Sequence, residues 1–318
     1  MKEEGIMSVG GRLYQSSMLY KLMAGEDIEV LLKKGARANQ LLMDGLNSTP
    51  LHVAVECDNL EACKSLITHG ADLNVSSKGG YTPLMKAMKN GNVELIDMLI
   101  SAGAHLNSKD DLNRTALWWA SFYGQSNILS YMVKKGALVN VKDTQKGLTP
   151  LMVATQYADQ KTVDTLLLFG CHINDISYAG HTALSYSIMH ENKMQGLLRA
   201  KSLIRSGADI HSSHMGVLGT FSPSPLMLAV EKQNDVLLEL LLSKGAKGIE
   251  EGFLYAQKRN YNKIIDVFKT VKFPTEFSND VKLINLKTVK EEPLFIIDNQ
   301  FDYSYAVKND NRVRQKCV

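Results

Sequence analysis

The residues of this sequence that are best suited to chemistry are scattered and form no recognisable catalytic motif. His211 and His214 lie close together in an expected loop, but zinc needs three or four convergent ligands. The phosphate-binding GxxxxGK[ST] loop, the dinucleotide-binding GxGxxG loop and the nucleophilic GxSxG elbow do not occur. We therefore expect no catalytic residues, no metal and no cofactor, and we predict that the chain is not an enzyme.

The overall composition indicates a folded protein without a bias toward nucleic acid or membranes. Hydrophobic residues make up 45% of the 318 residues, which is enough for a core. The 36 basic and 33 acidic residues nearly balance, and the basic pair Lys258 and Arg259 is interspersed with acids, as on a solvated face. No apolar run approaches the roughly 18 residues of a membrane span, and the N-terminus MKEEGIMSVGG does not resemble a signal peptide.

The four cysteines, Cys57, Cys63, Cys171 and Cys317, show neither a CxxC pair nor the spacing of a disulfide framework. This spacing is typical of proteins in a reducing environment. We therefore expect a cytoplasmic protein, with the nucleus as an alternative compartment.

A regularly repeated tripeptide is the strongest signal in the sequence. Thr-Pro-Leu or Thr-Ala-Leu recurs, and a degenerate Ser-Pro-Leu follows; these tripeptides start at Thr49, Thr82, Thr115, Thr149, Thr182 and Ser224. The steps between them are 33, 33, 34, 33 and 42 residues. In most units a glycine follows 21 residues after the tripeptide begins, but Gly207 follows 25 residues after Thr182. The fifth unit should therefore have a longer helix pair or helix–helix loop, and the other extra residues fall near His211 to Phe221.

Each period has the pattern of two short helices. The Thr-Pro pair begins a helix because proline is tolerated in the first turn. Apolar residues follow at helical spacing, a polar break such as Cys57-Asp58-Asn59 ends the helix, and a second helix runs to Gly70, which suits the left-handed position after a helix end. One such pair cannot bury its own apolar face, so the units must stack.

These motifs resemble the ankyrin repeat. Thr49-Pro50-Leu51-His52-Val53-Ala54 and Gly70-Ala71-Asp72-Leu73-Asn74 match the family pattern of about 33 residues with T-P-L-H-x-A, and the downstream units match in register. The resemblance implies an all-α ankyrin-repeat solenoid of stacked helix–turn–helix units with β-hairpin-like loops. It also implies that His52 is structural and bonds across its turn.

The resemblance divides the chain into an N-terminal segment (1–11), an array of about seven to eight units (12–269) and a short, mostly irregular tail (270–318). Within the array we expect an N-terminal cap at 12–43, repeats at about 44–76, 77–109, 110–143, 144–176, 177–218 and 219–250, and a degenerate C-terminal cap at 251–269. Phe253 to Lys269 fits a final helix pair without a hairpin.

The family binds proteins along its concave face, formed by hairpin tips and inner helices. The corresponding variable positions of this chain include aromatic residues, methionine and arginine, which are common in interfaces. The expected partner-binding residues are Tyr81, Arg114, Phe122, Tyr123, Leu148, Tyr157, His181, Met189 and His190. The alternative is that Phe122, Tyr123 and Tyr157 pack sideways against neighbouring repeats. Trp118 and Trp119 occupy motif positions where packing in the core is expected.

The tail and two modifiable residues complete the sequence-based predictions. The alternating stretch Phe301–Lys308 fits a half-buried strand, or the tail is disordered. Lys290 lies in a loose SUMO-acceptor pattern. The resemblance also suggests Asn74 as a substrate of an asparaginyl hydroxylase, although Asn74 could simply bond within its turn.

The expected function is a monomeric, non-enzymatic scaffold or adaptor that binds another protein. No small-molecule substrate, nucleic acid or membrane insertion is expected. The alternative function is a substrate-recruiting subunit of a protein-modifying complex such as a ubiquitin ligase, although the tail lacks the opening motif of a SOCS box.

Overall fold

The computed structural model of the chain describes residues 18–42, 44–217 and 219–270. The N-terminal segment, the first residues of the predicted cap and the tail from residue 271, with Lys290 and Phe301–Lys308, lie outside the described residues. The described part is built of short helices, as the repeat period predicts. It divides into two compact units, with unit 1 ending at Gln145 and unit 2 beginning at Lys146.

Unit 1 consists of an N-terminal cap and three helix pairs. Residues 18–23 are helical, and the helices that follow are α1 (Glu29–Lys33), α2 (Pro50–Glu56), α3 (Leu60–Thr68), α4 (Pro83–Asn90), α5 (Val93–Ser101), α6 (Ala116–Phe122) and α7 (Ser126–Lys134). The first helices of the pairs, α2, α4 and α6, pack on one another in order, and α1 packs on α3. The stacking buries the apolar faces that single pairs would expose.

Unit 2 contains four further helix pairs and one short hairpin. Its elements are α8 (Pro150–Tyr157), α9 (Gln160–Leu168), α10 (Ala183–Ile188), α11 (Lys193–Arg205), β1 (His214–Met215), β2 (Phe221–Ser222), α12 (Pro225–Glu231), α13 (Asp235–Ser243), α14 (Ile249–Lys258) and α15 (Asn262–Thr270). Helix α11 has 13 residues where α9 and α13 have nine, and β1 pairs with β2 in antiparallel register. In the fifth unit, for which a longer helix pair or helix–helix loop was expected, the second helix is the longer element, and the last two helices, α14 and α15, form a pair.

The recurring threonine and glycine fix where the helices start and stop. Thr82 Oγ1 accepts a hydrogen bond from Met85 N at 3.4 Å, and Thr115 and Thr149 cap their helices in the same way. Gly70 has φ of 77° after the end of α3, a conformation that costs other residues energy. The capping threonine and the glycine thus mark the start of the first helix and the end of the second helix in a pair.

A ladder of asparagines joins successive loops. In unit 1, Asn107 Nδ2 donates to Gly136 O at 3.2 Å, and its Oδ1 accepts from Leu138 N at 2.9 Å. Asn39 makes the same two bonds to the next loop, and so does Asn174 in unit 2. One side chain thus satisfies two backbone groups of the following repeat, which fixes the spacing of the loops that carry the variable surface.

None of the helices in the described ranges is long and apolar enough to cross a membrane.

Candidate functional site

The aromatic residues of α6 and Tyr123, which directly follows this helix, form one continuous stack in unit 1. Trp118 stacks on Phe122 with ring centroids 5.9 Å apart and an angle of 8° between planes, and Trp119 stacks on Tyr123 at 5.9 Å and 24°. Phe122 and Tyr123 meet edge to face at 5.1 Å. Tyr81, in the preceding loop, lies 5.6 Å from Trp119. Residues three and four apart share a helix face, so the spacing within α6 brings these rings together.

Arg114 anchors this stack from within. Its Nε donates to Asp110 Oδ2 at 2.8 Å, and its guanidinium carbon lies 4.2 Å from the centre of the Trp119 ring. Asp110 also accepts from Trp119 Nε1 at 3.1 Å, and Arg114 donates to Tyr81 Oη at 3.2 Å. Both members of the ion pair are buried. Arg114 was predicted to face a partner, but the structure makes it a buried support because the carboxylate of Asp110 lies inward, four residues earlier.

The stack exposes some of its rings and buries others. Trp118 and Trp119 are buried, which confirms that they are packing residues. Tyr81, Phe122 and Tyr123 are half-buried, so each ring rests on the stack with one side and reaches solvent with another. We call these three residues the unit 1 aromatic surface. These side chains are thus both packed against neighbouring rings and partly exposed. The sequence alone could not decide between packing and exposure for Phe122 and Tyr123.

The neighbouring part of unit 1 is held by an ion pair and a capping amide. Lys86 Nζ and Glu56 form an ion pair whose side chains are only 13% and 10% exposed. Asn90 Nδ2 donates to the carbonyls of Val55 and Glu56 at 3.0 and 3.2 Å, at the end of α2. The helix ends beside the aromatic surface are therefore fixed before any partner binds.

In unit 2, Tyr157 ends α8 with 48% of its surface exposed. Arg199 of α11 fixes that helix end, donating to Thr155 O at 2.6 Å and to Ala158 O at 2.5 Å. Leu148, predicted to face a partner, is instead buried, because folding removes this apolar side chain from water. Tyr157 keeps its predicted place at the surface, and Leu148 does not.

His181, Met189 and His190 are all half-buried in unit 2. Ser222 Oγ lies 2.8 Å from His181 Nδ1, and burial together with the nearby charge of Lys232 lowers the pKa of His181 to about 4. Burial, with Arg199 nearby, also lowers the pKa of His190, and its Nδ1 accepts from Asn192 N at 3.1 Å. Both histidines are therefore uncharged at neutral pH and can present rings, not cations, to a ligand.

His52 has the structural role that the resemblance implied. Its Nδ1 accepts from Thr49 N at 3.1 Å, and its Nε2 lies 3.0 Å from Tyr81 O in the next loop. Nδ1 as acceptor leaves Nε2 as the protonated nitrogen, so the second bond runs from Nε2–H to the carbonyl. Burial and the charge of Lys86 lower the pKa of His52 to about 4.

Asn74 joins two loops. Its Oδ1 accepts from His105 N at 2.8 Å, in the following loop, while its own N–H donates to Asp72 Oδ1 at 2.8 Å. Its amide therefore bonds beyond its own turn, and its hydroxylation stays a prediction. Within the described ranges, no three His, Cys, Asp or Glu side chains come together in a way that would hold a metal ion.

Comparison with known families identifies a repeat family. A family model described as ankyrin repeats (3 copies) matches three overlapping stretches, residues 21–110, 69–143 and 106–177. Together these stretches contain the three helix pairs of unit 1 and the first pair of unit 2. They include α6 and its aromatic stack.

Proposed function

Since the chain is an ankyrin-repeat protein, we propose that it is a non-enzymatic scaffold or adaptor that binds a partner protein through its variable loop and helix-end residues. Ankyrin repeats are generally protein–protein interaction modules, and stacked repeats offer extended surfaces for this purpose. The proposal includes a monomeric chain in the cytoplasm or nucleus.

The observation that carries the proposal is the aromatic stack of unit 1. Tyr81, Phe122 and Tyr123 occupy positions where polar, solvated side chains are the rule. Their large aromatic rings are nevertheless partly exposed there. Aromatic rings bury much area and lose few rotamers, which makes them frequent hot spots of interfaces.

The buried ion pair strengthens this argument. Because Asp110 and Arg114 fix Trp119 from behind, the stack is ordered before binding. A preorganised surface loses little conformational entropy on association, so more of its contact energy appears as affinity. Arg114 thus contributes to the proposed site as a positioning residue, not as a contact.

The chemistry of the surface indicates what it would bind. The half-buried rings of Tyr81, Phe122 and Tyr123 offer apolar faces to a partner. An apolar or aromatic side chain of a partner, flanked by polar groups, suits such a surface. In unit 2, Tyr157, His181, Met189 and His190 are the proposed contacts.

The test compares two variants of the full chain. Partners are first identified by proximity labelling with the wild-type protein, and the strongest is purified. Replacing both Phe122 and Tyr123 by alanine should weaken its binding by more than about 2 kcal/mol, or roughly thirtyfold, because the exposed half of the stack is lost. Tyr131→Ala, which removes a half-exposed tyrosine from the second helix of the same pair, is the matched control and should bind normally.

Binding must be measured where both variants are folded, as shown by circular dichroism. Wild-type affinity of the double variant would contradict the proposed surface. Stable recovery of ubiquitin-ligase components among the labelled proteins would instead favour the substrate-recruiting alternative.

A further inference from the structure

The loops between helix pairs stack on one another through backbone hydrogen bonds. In unit 1, Asp111 N donates to Gly79 O at 3.2 Å; in unit 2, Tyr178 N donates to Lys146 O at 2.8 Å, and Val217 N donates to Tyr178 O at 2.9 Å. Each loop is thus tied to the one before it. Residues 214–222, here called the terminal hairpin, are the last such loop in the part of the chain that the structure describes, since α14 begins at Ile249 with only a short turn before it.

Glycines at equivalent turns show where this stack ends. Gly80 and Gly219 each donate to a carbonyl three residues back, and both have positive φ, of 79° and 73°. A Cβ on Gly80 would lie 2.5 Å from Asp111 N of the next loop. A Cβ on Gly180 would meet Gly216 N of the terminal hairpin at 3.0 Å. A Cβ on Gly219 would meet nothing within 4 Å, so no loop among the described residues packs on the terminal hairpin there.

The uncovered side of the terminal hairpin is apolar. Met215 and Phe221 are cross-strand partners, so they share a face, and they are 61% and 43% exposed. Val217, two residues after Met215, is 75% exposed. The other face carries Ser222, which is buried and bonded to His181 of the preceding loop. The hairpin thus turns its polar face toward the stack and its apolar face away from it.

We propose that Leu294–Ile297 of the same chain covers this apolar face. Leu294-Phe295-Ile296-Ile297 is the longest uninterrupted apolar run between residues 271 and 318, and Pro293 and Asp298 bound it. A run of four apolar residues gains free energy when an apolar surface removes it from water. The proposal concerns the end of the loop stack and does not depend on the proposed partner-binding surface.

Chain length favours this segment over one from another molecule. The terminal hairpin lies two helix pairs before the end of α15, or about 20 Å at the usual spacing of about 10 Å between packed helices. Residues 271–293 can span roughly 75 Å when extended, so the segment reaches the hairpin with slack. A tether of this length holds the segment at an effective concentration on the order of millimolar.

A photo-crosslink tests the contact in the full chain. With p-benzoylphenylalanine in place of Phe221, irradiation should join that position to residues 294–297 of the same molecule. The same probe in place of Tyr20, an exposed tyrosine of unit 1, is the control and should not reach this segment. Crosslinks only to other parts of the chain, only between molecules in a mixture of light and heavy protein, or only to a separate protein would overturn the proposal.

Oxidation of Met215 provides a second readout that does not alter the hairpin. The double variant Phe295→Asp with Ile296→Asp should release the segment and raise the rate of Met215 oxidation by peroxide at least about threefold. Thr275→Asp with Ser278→Asp adds the same charge without removing apolar residues and should leave the rate unchanged. Equal rates in wild type and in the Phe295/Ile296 variant would show that the segment does not cover the hairpin.

Discussion

At the residue scale, the sequence predicted which residues occupy the variable positions of the repeat better than it predicted whether their side chains point outward or inward. Tyr81, Phe122, Tyr123 and Tyr157 reach the surface as their place in the repeat suggested. Arg114 occupies an equivalent variable position, but its side chain is buried. The reason is specific to this chain: Asp110 and the indole of Trp119 offer Arg114 a charged acceptor and a ring face together. A repeat pattern cannot show such a pairing, since the pattern averages over the residues that surround each position.

The buried His52 should make the stability of the protein depend on pH. Its pKa is about 4 in the fold, against an ordinary value of 6.5. Between these two pH values, His52 is protonated in the unfolded chain and neutral in the folded chain. The neutral His52 therefore makes its full contribution to the stability of the fold above pH 6.5. This contribution is lost as the pH falls from 6.5 toward 4. The loss should reach up to about 3 kcal/mol in the free energy of unfolding.

Denaturant unfolding at pH 7 and pH 4.5 measures this effect. His52→Ala should be less stable at pH 7, because two hydrogen bonds are lost, but should show a smaller drop between the two pH values. The exposed His105 provides the control, and His105→Ala should keep the wild-type drop. An identical drop in the His52 variant would contradict the assignment.

At the element scale, the period predicted the helix pairs, their caps and the longer fifth unit. It did not predict how α11 and α8 are joined. Arg199 reaches carbonyls 41 and 44 residues earlier in the chain, a distance at which no local pattern links the residues. Nor did the period predict that the side chains of Asn39, Asn107 and Asn174 reach the following loop. Both features are long-range, and they appear only once the pairs stack.

Replacing Arg199 tests this link between elements. Arg199→Leu should lower the free energy of unfolding by about 3 kcal/mol, because it leaves the carbonyls of Thr155 and Ala158 without their charged donor. Arg205, exposed near the end of the same helix, gives the matched control. Arg205→Leu should change stability by less than about 0.5 kcal/mol. Equal effects of the two substitutions on the unfolding midpoint would show that the capping bonds contribute little.

At the scale of the whole molecule, the stacked helix pairs need terminal pairs that cover the apolar faces of the first and last full repeats. Met18, Leu22 and Ile28 are fully buried in the N-terminal cap, and Ile264 and Phe268 are buried in the last pair. The sequence showed both ends as degenerate repeats, since their apolar spacing survives while the tripeptide is lost. It also indicated that the last helix pair lacks a hairpin, so that the loop stack stops earlier than the helix stack.

Removal of the ends should therefore expose apolar faces. A fragment of residues 44–218 lacks both caps and should aggregate and melt at a lower temperature than a fragment of residues 18–270, because terminal repeats need a polar outer face. Light scattering and thermal melting of the two fragments decide this. A soluble, monomeric 44–218 fragment with the melting temperature of the longer one would show that the caps are dispensable.

The central claim is that a partner protein binds at the unit 1 aromatic surface, and the two tryptophans of the chain report on it directly. Both are in α6, with Trp118 stacked on Phe122 and Trp119 on Tyr123. With fluorotryptophan in this chain alone, fluorine NMR gives one resonance for each ring, and the partner stays silent. The account predicts that at least the Trp119 resonance shifts and saturates as the partner is added, with the same Kd as an independent binding measurement. Full binding of the partner with both resonances unmoved would contradict it.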